Sequence, residues 1–317
     1  MIFPSQPYPK NHTMSSAIEA SPPNESVRTL LSGIVDYAGL FPPSMVSMEQ
    51  AVVNFSSYKN SEQSWLLGRF VLPVARLGEF LESAGDVIGK NESPWRLSVL
   101  AGEDINATIR EISLFNKTNA QRFVCDSLEV KANTVSKIEN TVNALPEGLA
   151  AYFEIAVKEN FVDLVSTLAL KHQRAKIRTG GTTNDEFPPS REIIRFVRSC
   201  MAANVPFKAT AGLHHPLRCF RPLTYAQDAP RGTMHGFLNM LLMTGFARES
   251  FRVSLLEELM EEEFDEVFTF RDNGVAWRGE HFLTDGHLAR LRSKGMISFG
   301  SCSFDEPVAD LKSLGIL

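Results

Sequence analysis

From about residue 31 onward the chain repeats one unit: a short β-branched or aromatic run, then a stretch with apolar residues at helical spacing. Strands that alternate with helices in this way pair in parallel, each crossover helix covering a face of the sheet. The runs fall at 34–40, 67–74, 95–100, 122–130, 150–157, 175–179, 206–211 and 296–301. The helices between them are read from Met48, Val52 and Phe55; from Leu77, Phe80, Leu81 and Ala84; from Ile105, Ile109 and Ile112 behind an Asp104 cap; and from Val135, Ile138 and Val142. Further on come Phe161, Leu164, Val165 and Leu168, then Ile193, Val197, Cys200 and Met201 behind Ser190, and a short last helix over 308–314. Eight such units in a chain of 317 residues favour an α/β fold closed as a (β/α)8 TIM barrel over an open sheet.

Two stretches depart from the repeat. Residues 1–26 are rich in Pro, Ser and Asn and read as a disordered leader, with Met14 a second candidate start; no Arg precedes Arg28, which argues against a transit peptide. The other is a long insertion between strands seven and eight, over 215–295, too long for an ordinary connection. It is expected to hold a helix over 234–246, an acidic helix over 255–263 whose Glu257, Glu258, Glu261, Glu262 and Glu263 face solvent, and a hairpin over 267–277 turning at Asp272, Asn273 and Gly274. A lid, a subunit contact or plain structural cover would each account for it. The chain thus divides into the leader and a single barrel domain, 27–317.

Composition bounds the partners. The net charge of −5 argues against general nucleic-acid binding, and no apolar run approaches a membrane span, which points to a small-molecule substrate and leaves a homo-oligomer open. Cys125, Cys200, Cys219 and Cys302 form no C-x-x-C pair, which suits a reducing cytoplasm. Neither cofactor nor metal is expected. His214 and His215 are neighbours whose side chains diverge, so a metal would need one of them together with His235. Cys302 has no basic partner nearby in sequence and reads as packing.

The chemistry follows from strand parity. If Ala175 and Ile177 face the helices, Lys176 and Arg178 face the barrel axis; if Phe207 and Ala209 face the helices, Lys208 and Thr210 face inward. Active sites of such barrels lie at the C-terminal strand ends. Two inward lysines on adjacent strands meet there. Burial and a cationic neighbour both favour the neutral amine, which can attack a carbonyl and form a Schiff base. The alternative is that both lysines sit in ion pairs with Glu129, Glu154 or Asp126. The polar loop Thr179, Gly180, Gly181, Thr182, Thr183 suits an anion held by backbone N–H groups, with a plain turn as its alternative.

The segment from Lys176 through Ile177, Arg178 and Thr179 to Gly180, followed by Phe207, Lys208, Ala209, Thr210, Ala211, Gly212 and Leu213, resembles the deoxyribose-phosphate aldolase family. The opening Ile34, Val35, Asp36, Tyr37 is similar to that family's first strand, and Phe299, Gly300, Ser301, Cys302 and Ser303 to its phosphate-holding last strand. The chain departs from the family at Ala211, at His214 (where the family has arginine) and in the length of the insertion. As a whole it is also similar to an uncharacterised bacterial family. The aldolase resemblance implies a class I aldolase-like lyase acting on a small carbonyl compound, phosphorylated or not. Lys176 would be the Schiff-base lysine, Lys208 would tune it, and Asp126 or Glu129 with His214 would move protons. Asp36, Glu154, Arg178, Thr179, Gly180, Gly181, Thr210, Gly212, Gly300 and Ser301 would line the substrate. A second reading keeps the barrel and has Lys176, Arg178 and Lys208 clamp a carboxylate or phosphate without an imine. A third is a non-catalytic barrel that binds a partner.

Overall fold

The computed structural model describes residues 23–85, 87 and 93–317. Helix α1 (Glu25–Leu31) starts earlier than the leader boundary allowed. Asn24 caps it by accepting the Val27 N–H, and Ser26 and Val27 are already buried. The remainder of the expected leader, Met14 included, lies outside the described residues.

Eight parallel strands close the barrel. They are β1 (Val35–Tyr37), β2 (Leu67–Pro73), β3 (Trp95–Leu100), β4 (Phe123–Lys131), β5 (Ala150–Glu154), β6 (Arg174–Arg178), β7 (Phe207–Thr210) and β13 (Met296–Ser301), the last pairing with both β7 and β1. Between them run α2 (Met48–Lys59), α3 (Leu77–Ala84), α4 (Ile105–Asn119), α5 (Val135–Ala144), α6 (Phe161–Leu170) and α7 (Ser190–Ala202). Ser47 for α2, Asp104 for α4 and Thr134 for α5 each accept backbone N–H groups of the first turn, whereas Ser190, expected to cap α7, is that helix's first residue and makes no cap hydrogen bond. The outer core lies between strands and helices. Around β2–β4 it is aromatic, with Phe55, Phe70, Phe80, Trp95 and Phe123 meeting mostly edge to face.

The connection from β7 to β13 is less an insertion than a barrel helix with additions on both sides. A hairpin of β8 (Cys219–Pro222) and β9 (Arg231–Met234) comes first. Helix α8 (Phe237–Arg248) then takes the seventh helix position; its Phe237 ring stacks on Phe299 of β13 at 4.9 Å, and its residues from Phe237 to Phe246 are buried all round. Next come α9 (Val253–Met260) and an antiparallel sheet of β10 (Phe268–Arg271), β11 (Gly274–Trp277) and β12 (His281–Thr284). The β10–β11 hairpin turns at Asp272 and Asn273; β12 was not anticipated.

Of the glutamates of α9 and its exit, Glu258, Glu261 and Glu263 are exposed as expected, while Glu257 is half-buried and Glu262 buried. Glu257 pairs with Arg191, Glu263 with Arg218, and Glu258 and the buried Glu262 both hold Arg278. Helix α10 (Asp285–Lys294) sends Arg292 to the N-terminal end of the barrel, where it donates to the carbonyls of Ser32, Met296 and Ile297. Helix α11 (Asp305–Ser313) completes the ring. Among the described residues no helix is long and apolar enough to cross a membrane.

Candidate functional site

The inward faces of the strands carry charge where a barrel of this kind is ordinarily apolar. Lys176 and Lys208 stand side by side in the β6–β7 register, and Glu154 is beside Lys176 on β5. Lys176 Nζ lies 2.7 Å from Glu129 Oε2 and 2.8 Å from Glu154 Oε2. Lys208 Nζ lies 2.6 Å from Glu129 Oε1 and 2.7 Å from Asp36 Oδ2. Glu129 therefore joins the two ammoniums, one on each oxygen. Hydroxyls saturate what remains: Ser98 donates to Glu129 Oε1 at 2.7 Å and Ser298 to Asp36 Oδ2 at 2.7 Å, while the Arg69 N–H donates to Asp36 Oδ1 at 2.8 Å.

Burial alone would raise the Glu129 carboxyl, but the Lys176 and Lys208 ammoniums hold it well below the usual carboxylate range. Burial likewise works against the Lys208 ammonium, yet Asp36 and Glu129 outweigh it and hold that amine protonated above the ordinary lysine value. Glu154 is raised by burial and lowered more by Lys176 and then Arg178, ending below its ordinary value.

Above this floor opens a cavity of about 330 Å³ at the C-terminal strand ends. Glu129, Glu154, Lys176, Arg178, Lys208, Thr210, Gly181, Gly212, His214 and Gly300 all line it, together with Lys131, Glu186, Cys302 and the Pro42–Pro43 loop, whose peptide bond is cis. Arg178, half exposed, reaches to 3.7 Å from Glu154.

Other proposed site residues take different positions. Asp126 is not in the cavity. A bulge in β4 at this residue turns it to the N-terminal end, where Arg69 (2.6 Å) and Arg96 (2.5 Å) bind it and hold its carboxyl below the ordinary value against the effect of burial. Of the two acids proposed on strand four, Glu129 is the one at the lysines. Asp36 lies wholly buried beneath the cavity as the counter-ion of Lys208. Thr179 is also buried and donates to the Ala211 carbonyl at 2.7 Å, tying two loops together.

Gly180 is a packing glycine. A Cβ there would come within 2.8 Å of the Gly212 Cα, and Gly212 itself has φ +75°, so this crossing of the β6 and β7 loops admits little but glycine. Ser301 is buried below the rim and caps the Ser303 N–H. The loop after β6 does bind an anion through its N–H groups, but the anion is its own Glu186: Thr182 and Thr183 donate to that carboxylate at 2.6 and 3.1 Å. His235 faces the Pro188 carbonyl at 2.8 Å, away from His214.

Cys302 is buried, as a packing residue would be, but it has the basic partner that the sequence did not reveal. Its sulfur is 4.0 Å from His214 Nδ1, which is also 3.2 Å from Glu306 Oε2. Burial lowers the His214 value, but contacts with Cys302 and Glu306 carry it up to about 9. Sequence spacing offers no sign of this contact, because 88 residues separate the two partners.

No family model matches the chain, and no curated protein or solved structure matches it at a significant level.

Proposed function

We propose that the chain is a class I aldolase-like lyase that holds a small carbonyl compound as a Schiff base on Lys176. The observation that carries this reading is the pair of lysines in register on adjacent strands, sharing Glu129, with Lys176 at the cavity floor. Glu154, 2.8 Å from Lys176 Nζ, accepts its proton as the carbonyl enters, and the freed amine attacks. Glu129 and Ser98 then relay protons to and from the carbinolamine oxygen, which leaves as water. The protonated imine draws off the electron pair released when the carbon–carbon bond breaks. Lys208 stays charged throughout; it fixes Glu129 as the shared acceptor and needs Asp36 to do so. Arg178 and Lys131 at the mouth suit a substrate with an anionic group. The four free thiols suit a reducing cytoplasm.

Borohydride reduction in the presence of a panel of aldehydes and ketones tests this reading. A stable adduct mapped to Lys176 by mass spectrometry, and lost in Lys176→Arg, is the expected result. One observation favours a second reading: Lys176 is an ion-pair partner of two carboxylates. If no adduct forms and Lys176→Arg retains affinity for small carboxylates or phosphates, the cluster is an electrostatic clamp and the imine is excluded at this residue.

A further inference from the structure

A second group of reactive side chains stands at the rim of the same cavity, which its Cys302 and His214 line, and takes no part in the imine steps above. It is assembled from four segments: Cys302 just after β13, Glu306 in the first turn of α11, His214 after β7 and Tyr225 after β8. Tyr225 Oη donates to Glu306 Oε2 at 2.9 Å and stands 3.7 Å from Cys302 Sγ. His214 Nδ1 lies between the same carboxylate and the sulfur. Tyr37 is near the thiol, its hydroxyl oxygen accepting from the Asn54 amide; the Ser44 hydroxyl donates to the Cys302 carbonyl at 3.2 Å; His215, beyond His214, pairs with Asp310 at 2.6 Å.

The four cysteines are thereby sorted. Cys125 and Cys200 are buried, and burial pushes their thiols up; Cys219 is half-buried and is pushed up to about 11. At Cys302 burial acts in the same direction, but His214 more than offsets it and the thiol sits below its ordinary value. A packing cysteine does not require a protonated imidazole held beside it by a carboxylate.

We propose that Cys302, with His214 and Glu306, is a nucleophilic thiol centre that adds reversibly to an aldehyde admitted to the cavity. The thiolate sulfur bonds to the carbonyl carbon, the C=O π pair moves to the oxygen, and the His214 imidazolium delivers its proton there, giving a neutral thiohemiacetal. Reversal returns the proton to His214 and restores the thiolate, so no oxidant or further reactant is needed. Glu306 keeps His214 charged between rounds. The choice of an aldehyde rests on the carbonyl reading of the lysine cluster; the reactivity of the thiol does not.

Two measurements on the full chain decide it. In the first, ultraviolet thiolate absorbance is titrated for the wild type and Cys302→Ser. The difference should show a thiolate that forms below the ordinary cysteine value of about 8.5, and the transition should move up in His214→Asn. A transition at or above the ordinary value, or no change in His214→Asn, overturns the proposal. In the second, carbonyl-labelled ¹³C-glycolaldehyde is added to Lys176→Arg, which cannot form the imine. A thiohemiacetal carbon resonance is expected, and it should vanish when Cys302→Ser is added to the same background. If it is missing from Lys176→Arg, the aldehyde step is overturned. Failure of borohydride trapping at Lys176 would remove the lysine reading and leave both of these results standing.

Discussion

The outer and inner faces of the same strands are held together in different ways. Outside, Phe80 meets Phe70, Trp95 and Phe123 at ring distances of 5.2, 6.3 and 5.0 Å, contacts that are numerous, individually weak and interchangeable. Inside, Asp36, Glu129, Lys176 and Lys208 are bound at 2.6 to 2.7 Å in a set in which each member satisfies another. Apolar packing degrades gradually as atoms are removed. A desolvated ion set fails when any one member is lost, because the partner left behind is a buried, uncompensated charge. The barrel thus concentrates its tolerance in one layer and its intolerance in the other.

Four outcomes sharpen or break this contrast. The largest effect is expected from Lys208→Met, which leaves Asp36 and Glu129 facing each other without the shared cation; urea unfolding should show a loss of about 3–5 kcal/mol. Adding Asp36→Asn and Glu129→Gln should recover part of that loss, and if the triple variant is no more stable than the single one, charge is not what the inner layer depends on.

Acid comes next. The Glu129 carboxyl is depressed in the folded state, so its contribution is present above the ordinary glutamate value of about 4.3 and is lost as pH falls below it, on the order of 2–3 kcal/mol. The urea midpoint should fall more steeply between pH 5 and 3 in the wild type than in Glu129→Gln.

Phe80→Leu, in the outer layer, should cost less than about 1.5 kcal/mol, since neighbouring rings can close on a similar volume. A larger loss on urea unfolding would mean that the aromatic layer is as exacting as the ionic one.

The smallest effect belongs to the rim. His214 is raised in the folded state, so its contribution is complete below about pH 6.5 and is lost as pH rises through about 9. With Glu306 partly exposed, thermal melting should move by only about 2–4 °C over that window, and by less in His214→Asn.

Much of the barrel was legible because its signals are local. β-branched runs, caps such as Asp104 and the parity that turned Lys176, Arg178 and Lys208 inward depend only on nearby residues. The β8–β9 hairpin was missed because its strands are four residues each, β8 is largely exposed and ends in Pro222, and β9 holds Gly232, so no apolar alternation marks them. Asp126 was expected at the site from the aldolase resemblance alone, and a sequence match gives no sign of the β4 bulge at that residue. The burial of Glu262 and the ion pairs of Glu257 and Glu263 had no sign in the sequence because their arginines, Arg191, Arg218 and Arg278, come from other segments. Cys302 lacked a visible partner for the same reason. Pairs made by chain folding leave no trace in spacing.

The position of β13 has a consequence for assembly. Its Ser298 donates to Asp36, a contact spanning 262 residues, and its two edges are the neighbours of β1 and β7. On a ribosome, β1 through β7 emerge as an unclosed sheet with free edges, and the acidic residue of β1 has Lys208 long before it has the serine. Closure waits for the sheet of β10–β12 and for Arg292 to be synthesised, so the slow, high-contact-order event comes after the other seven strands of the barrel have been made. Until then the nascent chain presents two unpaired strand edges, the surfaces a chaperone would have to shield.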